Sequence, residues 1–298
     1  MSTVPGGYPL PTTMLSVLIV NWNSREELRN CLHSLRQFPP SQKHEVIVVD
    51  NQSTDDSADL VASTFPEVRL IRADSNLGYA KGNNLAFTHA SGDLLLTLNP
   101  DTVIRDGALD LAIQELLAHE DAGALGAKLV GVDGKTQASV RGFPTVLGII
   151  GNLLGIDHLM PRTPFGSYRL PTFNYDVSQW APQPMGTFLL FRREALSEVG
   201  SASAPFDSAF PIFFNEVDLL KRLYDKGLKC WYSADVIVEH LGGVSTRQVR
   251  KSMIWESHRS LMRYLKKHRP SPLLPLFGVF VSLGALFRAR GFSHGFRP

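Results

Sequence analysis

Between residues 15 and 130, short and almost wholly apolar runs alternate with stretches whose apolar residues recur every three or four positions. The runs are residues 15–20, 46–49, 68–71, 94–98 and 124–130. A run with no polar side reads as a strand buried on both faces. The stretches between them read as helices. Asn23 or Ser24 can cap one that carries Leu28, Cys31, Leu32 and Leu35 on one side and ends before Pro39 and Pro40. Ser53 or Thr54 can cap a second, through Leu60, Val61 and Phe65, that Pro66 stops; two more are expected over residues 82–89 and 107–119. This alternation points to an α/β fold, with a mostly parallel sheet flanked by helices on both faces. Such sheets bind ligands at the carboxyl ends of their strands. Asn21, Asp50 and Asp101 all fall at or just past such ends.

Beyond residue 130 the pattern thins. Residues 131–184 are rich in Gly and Pro, carry an apolar patch at 146–154, and read as an insertion that shapes a pocket. Order returns with a strand at 187–191, a helix at 216–226 closed by Gly227, and short strands at 229–232 and 236–238 before His240. A long helix is expected over 247–268, stopped by Pro270, with apolar positions 249, 253, 254, 261, 262 and 265 on one face.

At 298 residues and 44% apolar the chain has enough material for one large domain with additions, or for two small domains. Residues 1–13, with three prolines and no apolar periodicity, read as a flexible arm without the pattern of a secretory signal. Cys31 and Cys230 sit in apolar patterns and read as buried free thiols, which fits a reducing cytoplasm. The net charge of +2 hides a split: residues 247–298 hold eleven Lys or Arg and one acid, and the remaining 19 basic and 27 acidic residues leave the body at −8. A basic tail on an acidic body suits an anionic partner. Residues 273–287 are an uncharged, mostly apolar run, short of the ~20 needed to span a bilayer and containing Pro275. That run can lie in an anionic membrane interface, or pack on the core or on a second copy as a homodimer contact. Nucleic acid is not the expected partner, because the tail carries no reading motif and because of the resemblance of the core given below.

Five segments carry candidate chemistry. Residues 76–84, Asn-Leu-Gly-Tyr-Ala-Lys-Gly-Asn-Asn, turn from a strand end into a helix start, where Gly78 and Gly82 would expose backbone N–H groups to a phosphate. Asp50 and Asn51 can accept from a nucleobase or ribose, or can simply form an Asx turn ahead of a helix. Asp101, after Asn99 and Pro100, suits an oxygen-coordinated Mg²⁺ or Mn²⁺ on a diphosphate, or a proline turn with a capping acid. Glu216 and Asp218 follow Phe213 and Phe214, which would desolvate a carboxylate and raise its pKa for general-base work; the alternative is acid enrichment in a helix's first turn. His240, followed by Leu241, Gly242 and Gly243, is a metal ligand or a structural histidine. Gly134-Lys135-Thr136 is not a P-loop, since position 129 is Leu, and no Gly-x-Gly-x-x-Gly follows the first strand.

Taken in order, Val17-Leu-Ile-Val-Asn-Trp-Asn23, the Asp50 segment, residues 76–84, Asn99-Pro-Asp101, Gly186-Thr-Phe-Leu-Leu-Phe-Arg-Arg193, Asn215-Glu-Val-Asp218 and His240-Leu-Gly-Gly-Val-Ser245 resemble the family 2 glycosyltransferases, most closely the rhamnosyltransferase-like members. The resemblance spans residues 15–246. It implies a GT-A fold with a nucleotide-sugar-binding half over 14–130, an acceptor-binding half over 131–246, and a basic helical extension over 247–298. It further implies inverting transfer from a nucleoside-diphosphate sugar, dTDP-rhamnose or a UDP-sugar, to a hydroxyl of a glycan or polyprenyl-diphosphate-linked acceptor in cell-envelope polysaccharide synthesis.

By position, the donor would be held by Asn21, Asn23, Asp50, Asn51, Asn76, Gly78, Lys81, Gly82, Asn83, Asn99 and Gly186, with Thr187 beside the sugar. Asp101 and His240 would bind Mn²⁺ or Mg²⁺. Glu216 would be the base, with Asp218 orienting it, binding acceptor or taking its place. Two positions depart from the family pattern: Asp-x-Asp reads Asn99-Pro100-Asp101, and Glu-Asp reads Asn215-Glu216. A cytoplasmic enzyme, peripheral on the inner face of the membrane, is the expected setting. The rivals are a sugar nucleotidyltransferase, which would want a Gly-rich signature with Arg and Lys near the first strand, and a non-catalytic sugar-nucleotide-binding protein, which would not need Glu216 with His240.

Overall fold

The computed structural model describes residues 13–200, 204–242 and 250–291. The arm expected over 1–13 lies outside them except for Thr13, as do the Gly243–Ser245 end of the His240 motif and the first residues of the tail. The elements run β1 (Leu15–Asn21), α1 (Arg25–Gln37), β2 (His44–Asp50), α2 (Ser57–Thr64), β3 (Arg69–Arg72), α3 (Gly78–His89), β4 (Leu94–Leu98), β5 (Thr102–Ile104), α4 (Ala108–Ala118) and β6 (Ala122–Val130). They continue with β7 (Val140–Arg141), α5 (Val146–Leu154), α6 (Ile156–Leu159), β8 (Gln179–Ala181), β9 (Gln183–Pro184), β10 (Phe188–Arg192), α7 (Arg193–Ser197), α8 (Asn215–Asp225) and β11 (Lys229–His240). Two further helices, labelled α9 (Arg250–His268) and α10 (Leu274–Gly291), close the described chain.

The main sheet has the order β3-β2-β1-β4-β10-β6-β11-β5, with β8 on the other edge of β11's first half. β1, β2, β3 and β4 are parallel; β10 runs against β4 and β6, and β6 and β11 are parallel. The core strands other than β10 therefore point the same way, and the mostly parallel sheet is as expected. Successive residues of each strand feed opposite layers, because side chains alternate across a pleat. Leu15, Val17 and Ile19 join α1 and α4 (Leu28, Leu32, Ile113, Leu116), while Leu18 joins α3 and α8 (Ala86, Phe87, Leu219, Leu223).

Three elements differ from the sequence reading. The helix expected from residue 82 begins at Gly78, and α2 is entered through Asp56 in the left-handed region rather than through Ser53 or Thr54. The two short strands expected around Asp235 are one strand, β11, whose register shifts between Ser233 and Ile237. That bulge interrupts the apolar pattern but not the strand; it bends the last residues toward β5, where His240 pairs with Thr102. The apolar run at 273–287 forms most of α10. Pro275 falls in its first turn, where a missing N–H costs nothing. Leu274, Phe277, Val281 and Ala285 are buried, whereas Leu276, Val279, Phe280 and Leu283 are exposed. Among the described residues no helix is long and apolar enough to cross a membrane.

Candidate functional site

The carboxyl ends of β1 and β2 bring Asn21 and Asp50 side by side. Asn21 Nδ2 donates to Asp50 Oδ1 at 3.3 Å and to Ser53 Oγ at 3.2 Å, and Ser53 N donates to Asp50 Oδ2 at 3.0 Å. Asp50 thus closes an Asx-type turn. Asn23 sits at φ 49° and accepts from Thr54 N at 2.8 Å. Together these bonds hold the β1 and β2 loops as one rigid lip.

The segment at 76–84 does not form the expected phosphate cradle. Leu77 N donates to Asn51 Oδ1 at 3.1 Å, Gly78 N to Asn76 Oδ1 at 2.9 Å, and Tyr79 N and Ala80 N to Pro211 O at 2.7 and 3.2 Å. The helix's first donors are therefore spent within the chain. Gly82 instead serves packing: a Cβ there would stand 2.8 Å from Val20 Cγ1. Gly78, at φ 75°, lies under Pro211. Lys81 and Asn76 are exposed, and Asn83, buried, donates to Tyr79 O at 3.0 Å.

Asp101 and His240 meet where β4 and β11 end. Asp101 Oδ2 and His240 Nε2 are 3.6 Å apart, and Leu241 N donates to Asp101 O at 3.0 Å. Gln137 orients the imidazole. Its Nε2 donates to His240 O at 2.8 Å, which leaves Oε1 to accept from His240 Nδ1 at 2.8 Å. The protonated nitrogen is then Nδ1, and the Nε2 lone pair faces the Asp101 carboxylate. Burial lowers the His240 pKa despite the opposing charge of Asp101. Two lone pairs converging on one point suit a divalent cation, with a second-sphere amide fixing the ligand. Among the described residues no cluster of three or more His, Cys, Asp or Glu side chains could hold a metal unaided. Asn99 is half-buried and joined to Thr187 through its backbone, N to O at 3.0 Å.

Glu216 packs against Gly186, whose neighbour Thr187 accepts from Asn99 N two residues before Asp101, and Tyr79 feels the charges of both Glu216 and Asp101. A Cβ on Gly186 would lie 3.2 Å from Glu216 Cγ, so the absence of a side chain there is what admits the carboxylate. Burial pushes the Glu216 carboxyl up to about 7, against the pull of the N–H groups of Glu216 and Val217 at the start of α8. Phe214 ahead of it adopts φ 66°, in the left-handed region that costs a bulky residue energy, and the turn it makes aims the helix start at Gly186. Tyr79 donates its hydroxyl to Gly186 O at 3.1 Å; burial, then the Glu216 charge, push that hydroxyl above its ordinary value. Tyr168, from the 131–184 insertion, is pushed up to about 12 by burial, with Glu216 adding to the effect and Arg141 opposing it. Asp218 is elsewhere. It is fully buried and bound to Arg222 Nε at 2.8 Å, Lys267 Nζ at 2.7 Å and His268 Nε2 at 2.7 Å.

Asn21 Oδ1, beside Asp50, and Thr187 Oγ1, beside Gly186, are among the buried side-chain atoms without a hydrogen-bond partner. An unsatisfied buried acceptor costs about 1–3 kcal/mol, so each is a polar group open to a ligand. Gln137 and Tyr79 were missed as site residues. Tyr79 lies inside a motif that had been singled out, whereas nothing in the sequence marks Gln137.

A family model described as "Glycosyl transferase family 2" matches residues 16–200. An N-acetylglucosaminyl-diphospho-decaprenol L-rhamnosyltransferase of Mycobacterium tuberculosis is 26% identical, over 85% of this chain and 84% of that protein. The O-antigen biosynthesis protein RfbC of Myxococcus xanthus is 26% identical over 87% of this chain but only 20% of its own length. Among solved structures, the mannosyltransferase PcManGT from Pyrobaculum calidifontis, in complex with GDP-Man and Mn²⁺, superposes with a TM-score of 0.59 at 18% identity, covering 95% of this chain and 76% of its own. S. aureus TarS 1-349 in complex with UDP-GlcNAc gives 0.53 at 18% identity, covering 93% and 78%.

Proposed function

The chain belongs to glycosyl transferase family 2, and on that premise we propose that it is an inverting, metal-dependent enzyme with Glu216 as its general base. The observation that supports this reading is a half-buried carboxyl, raised to about 7, packed against Gly186 at the end of the sheet from which Asp101 and His240 also emerge. A carboxylate with that pKa is ionised for half of the molecules near neutrality and still basic enough to take a hydroxyl proton. Glu216 accepts the proton of the acceptor hydroxyl as its oxygen bonds to the anomeric carbon. The bond from that carbon to the diphosphate breaks on the opposite face, and the electron pair leaves with the nucleoside diphosphate. Asp101 and His240 would hold Mn²⁺ or Mg²⁺, which when bound offsets the charge of the leaving diphosphate. With two protein ligands, the remaining positions are open to phosphate oxygens. Asp218, bound to Arg222, Lys267 and His268, positions the base helix rather than taking the proton.

The donor is a nucleoside-diphosphate sugar, dTDP-rhamnose or a UDP-sugar, whose base and ribose meet the Asn21–Asp50 lip. The acceptor is a polyprenyl-diphosphate-linked glycan in cell-envelope polysaccharide synthesis, at the cytoplasmic face of the membrane. The Mycobacterium tuberculosis relative, whose name carries both the sugar and the lipid diphosphate, supports this choice. Glu216→Gln separates this reading from a non-catalytic sugar-nucleotide-binding protein. Transfer is lost while the nucleotide sugar still raises the melting temperature; near-normal turnover in that variant would remove Glu216 from the mechanism.

A further inference from the structure

Between α9 and α10 lies a groove of about 680 Å³, apart from the catalytic rim. Its size falls within the ~300–1,000 Å³ of pockets that take drug-sized ligands. Trp255 and Met262 from α9 and Leu274 and Val281 from α10 give it an apolar floor. Gly278 keeps it open, since a Cβ there would already stand 3.2 Å from Met262 Cε. Arg259, Arg263 and Lys266 form its border. Arg263 is partly engaged, with Glu256 at 2.7 Å and Ala209 O at 3.0 Å. Arg259 and Lys266 are exposed and have no acidic partner among the described residues. An apolar trough under unpaired cations matches a molecule with a phosphate head and a hydrocarbon chain.

We propose that this groove seats the diphosphate and first isoprene units of a prenyl-diphosphate-linked acceptor. The proposal rests on the transferase reading above and deepens it. Two features bear on where the groove stands. The hairpin that forms it is fixed to α8, which carries Glu216, by Lys267 and His268 on Asp218, and by Leu261, Tyr264 and Leu265 packed with Phe214 and Val217. The far side of α10 exposes Leu276, Val279, Phe280 and Leu283, so a longer chain leaving the groove continues over apolar surface. Contact with a bilayer surface would need that exposed face and the cations, but not the groove.

The test is calorimetric titration of the full chain with farnesyl diphosphate, with farnesol and inorganic diphosphate as the separate tail and head. Flotation with phosphatidylglycerol vesicles runs beside it. Farnesyl diphosphate should bind, and better than either fragment. Gly278→Leu, which fills the groove, and Arg259→Glu with Lys266→Glu, which reverses its border, should each weaken it by about tenfold or more. Gly278→Leu should leave vesicle flotation and the thermal shift caused by the nucleotide sugar unchanged. Equal binding to all variants, equal binding of inorganic diphosphate, or vesicle binding that falls in step with farnesyl diphosphate in Gly278→Leu would each overturn the assignment. Turnover onto a lipid-free glycan acceptor distinguishes the two failures: if it persists while farnesyl diphosphate does not bind, the groove assignment falls and the transferase reading stands.

Discussion

His268 Nε2 donates to Asp218 Oδ1 at 2.7 Å, a contact that helps join the C-terminal hairpin to the helix that carries the candidate base. Lys267 and Arg222 complete the cluster around a carboxylate with no solvent exposure. Burial alone would raise the Asp218 carboxyl, but the bond from His268, with Arg222 and Lys267, outweighs it and holds the group below the ordinary carboxylate range.

Removing that carboxylate leaves the Arg222 and Lys267 cations and the His268 ring facing one another. Asp218→Ala should destabilise the fold by about 3 kcal/mol, the lower figure for a broken buried pair, read as a lower urea midpoint. The folded pKa lies below the unfolded one, so the contribution is complete above about pH 4 and fades as the pH falls through the folded value. Wild type and variant should therefore converge in stability in strong acid.

Glu216 carries the opposite sign. Its folded pKa of about 7 exceeds its ordinary value of 4.5, so the folded state pays for ionisation as the pH rises through that window. Glu216→Gln should melt at a higher temperature than wild type at pH 8, with the difference vanishing below about pH 4. Over the same interval the wild-type kcat/KM should climb to a plateau above pH 7, because only the ionised form accepts a proton. The variant should lose about 10²–10⁴-fold in rate.

Gly186→Ala tests the placement of the base without touching its chemistry. The new methyl group meets Glu216 Cγ at 3.2 Å and must displace it by a few tenths of an ångström. Turnover should fall by about 10²-fold, as small misplacements of catalytic groups do, while the melting temperature stays within a few degrees. Full activity would show that Glu216 has slack its role does not permit.

Gln137→Leu removes the acceptor for His240 Nδ1 and frees the ring to take either tautomer. Metal-binding histidines that lose such a partner weaken by roughly 10–100-fold. Titrating Mn²⁺ in the presence of nucleoside diphosphate, followed by the spin signal of free Mn²⁺, should show that loss, and an unchanged affinity would argue that His240 is not a ligand.

The parallel half of the fold was legible because each strand announces itself: residues 15–20, 46–49 and 94–98 have no polar side to confuse with a helix. Asp50, Asp101, Glu216 and His240 were legible as candidates because each ends a strand or starts a helix. The fate of the glycines was not. Whether Gly78 offers its N–H to a ligand or fits under Pro211 depends on a loop more than a hundred residues away, and Gly82 is set by Val20 of β1. The separation of Glu216 from Asp218 was equally hidden, since two residues on a helix turn diverge by about 200° and the partners that claim Asp218 come from α9. Gln137 lies in a stretch without periodicity, so only the arrival of His240 gives it a role.

The strand order has a practical corollary. β10 is inserted between β4 and β6, and β11 reaches back to β5, so residues 14–130 and 131–246 interleave in one hydrogen-bonded sheet. A polypeptide severed after Val130 would surrender the imidazole opposite Asp101 and leave β4 and β6 with bare edges. Evolution could not have joined the two portions like beads, and neither could an engineer exchange one for a homologous piece without rebuilding the seam along both flanks of β10.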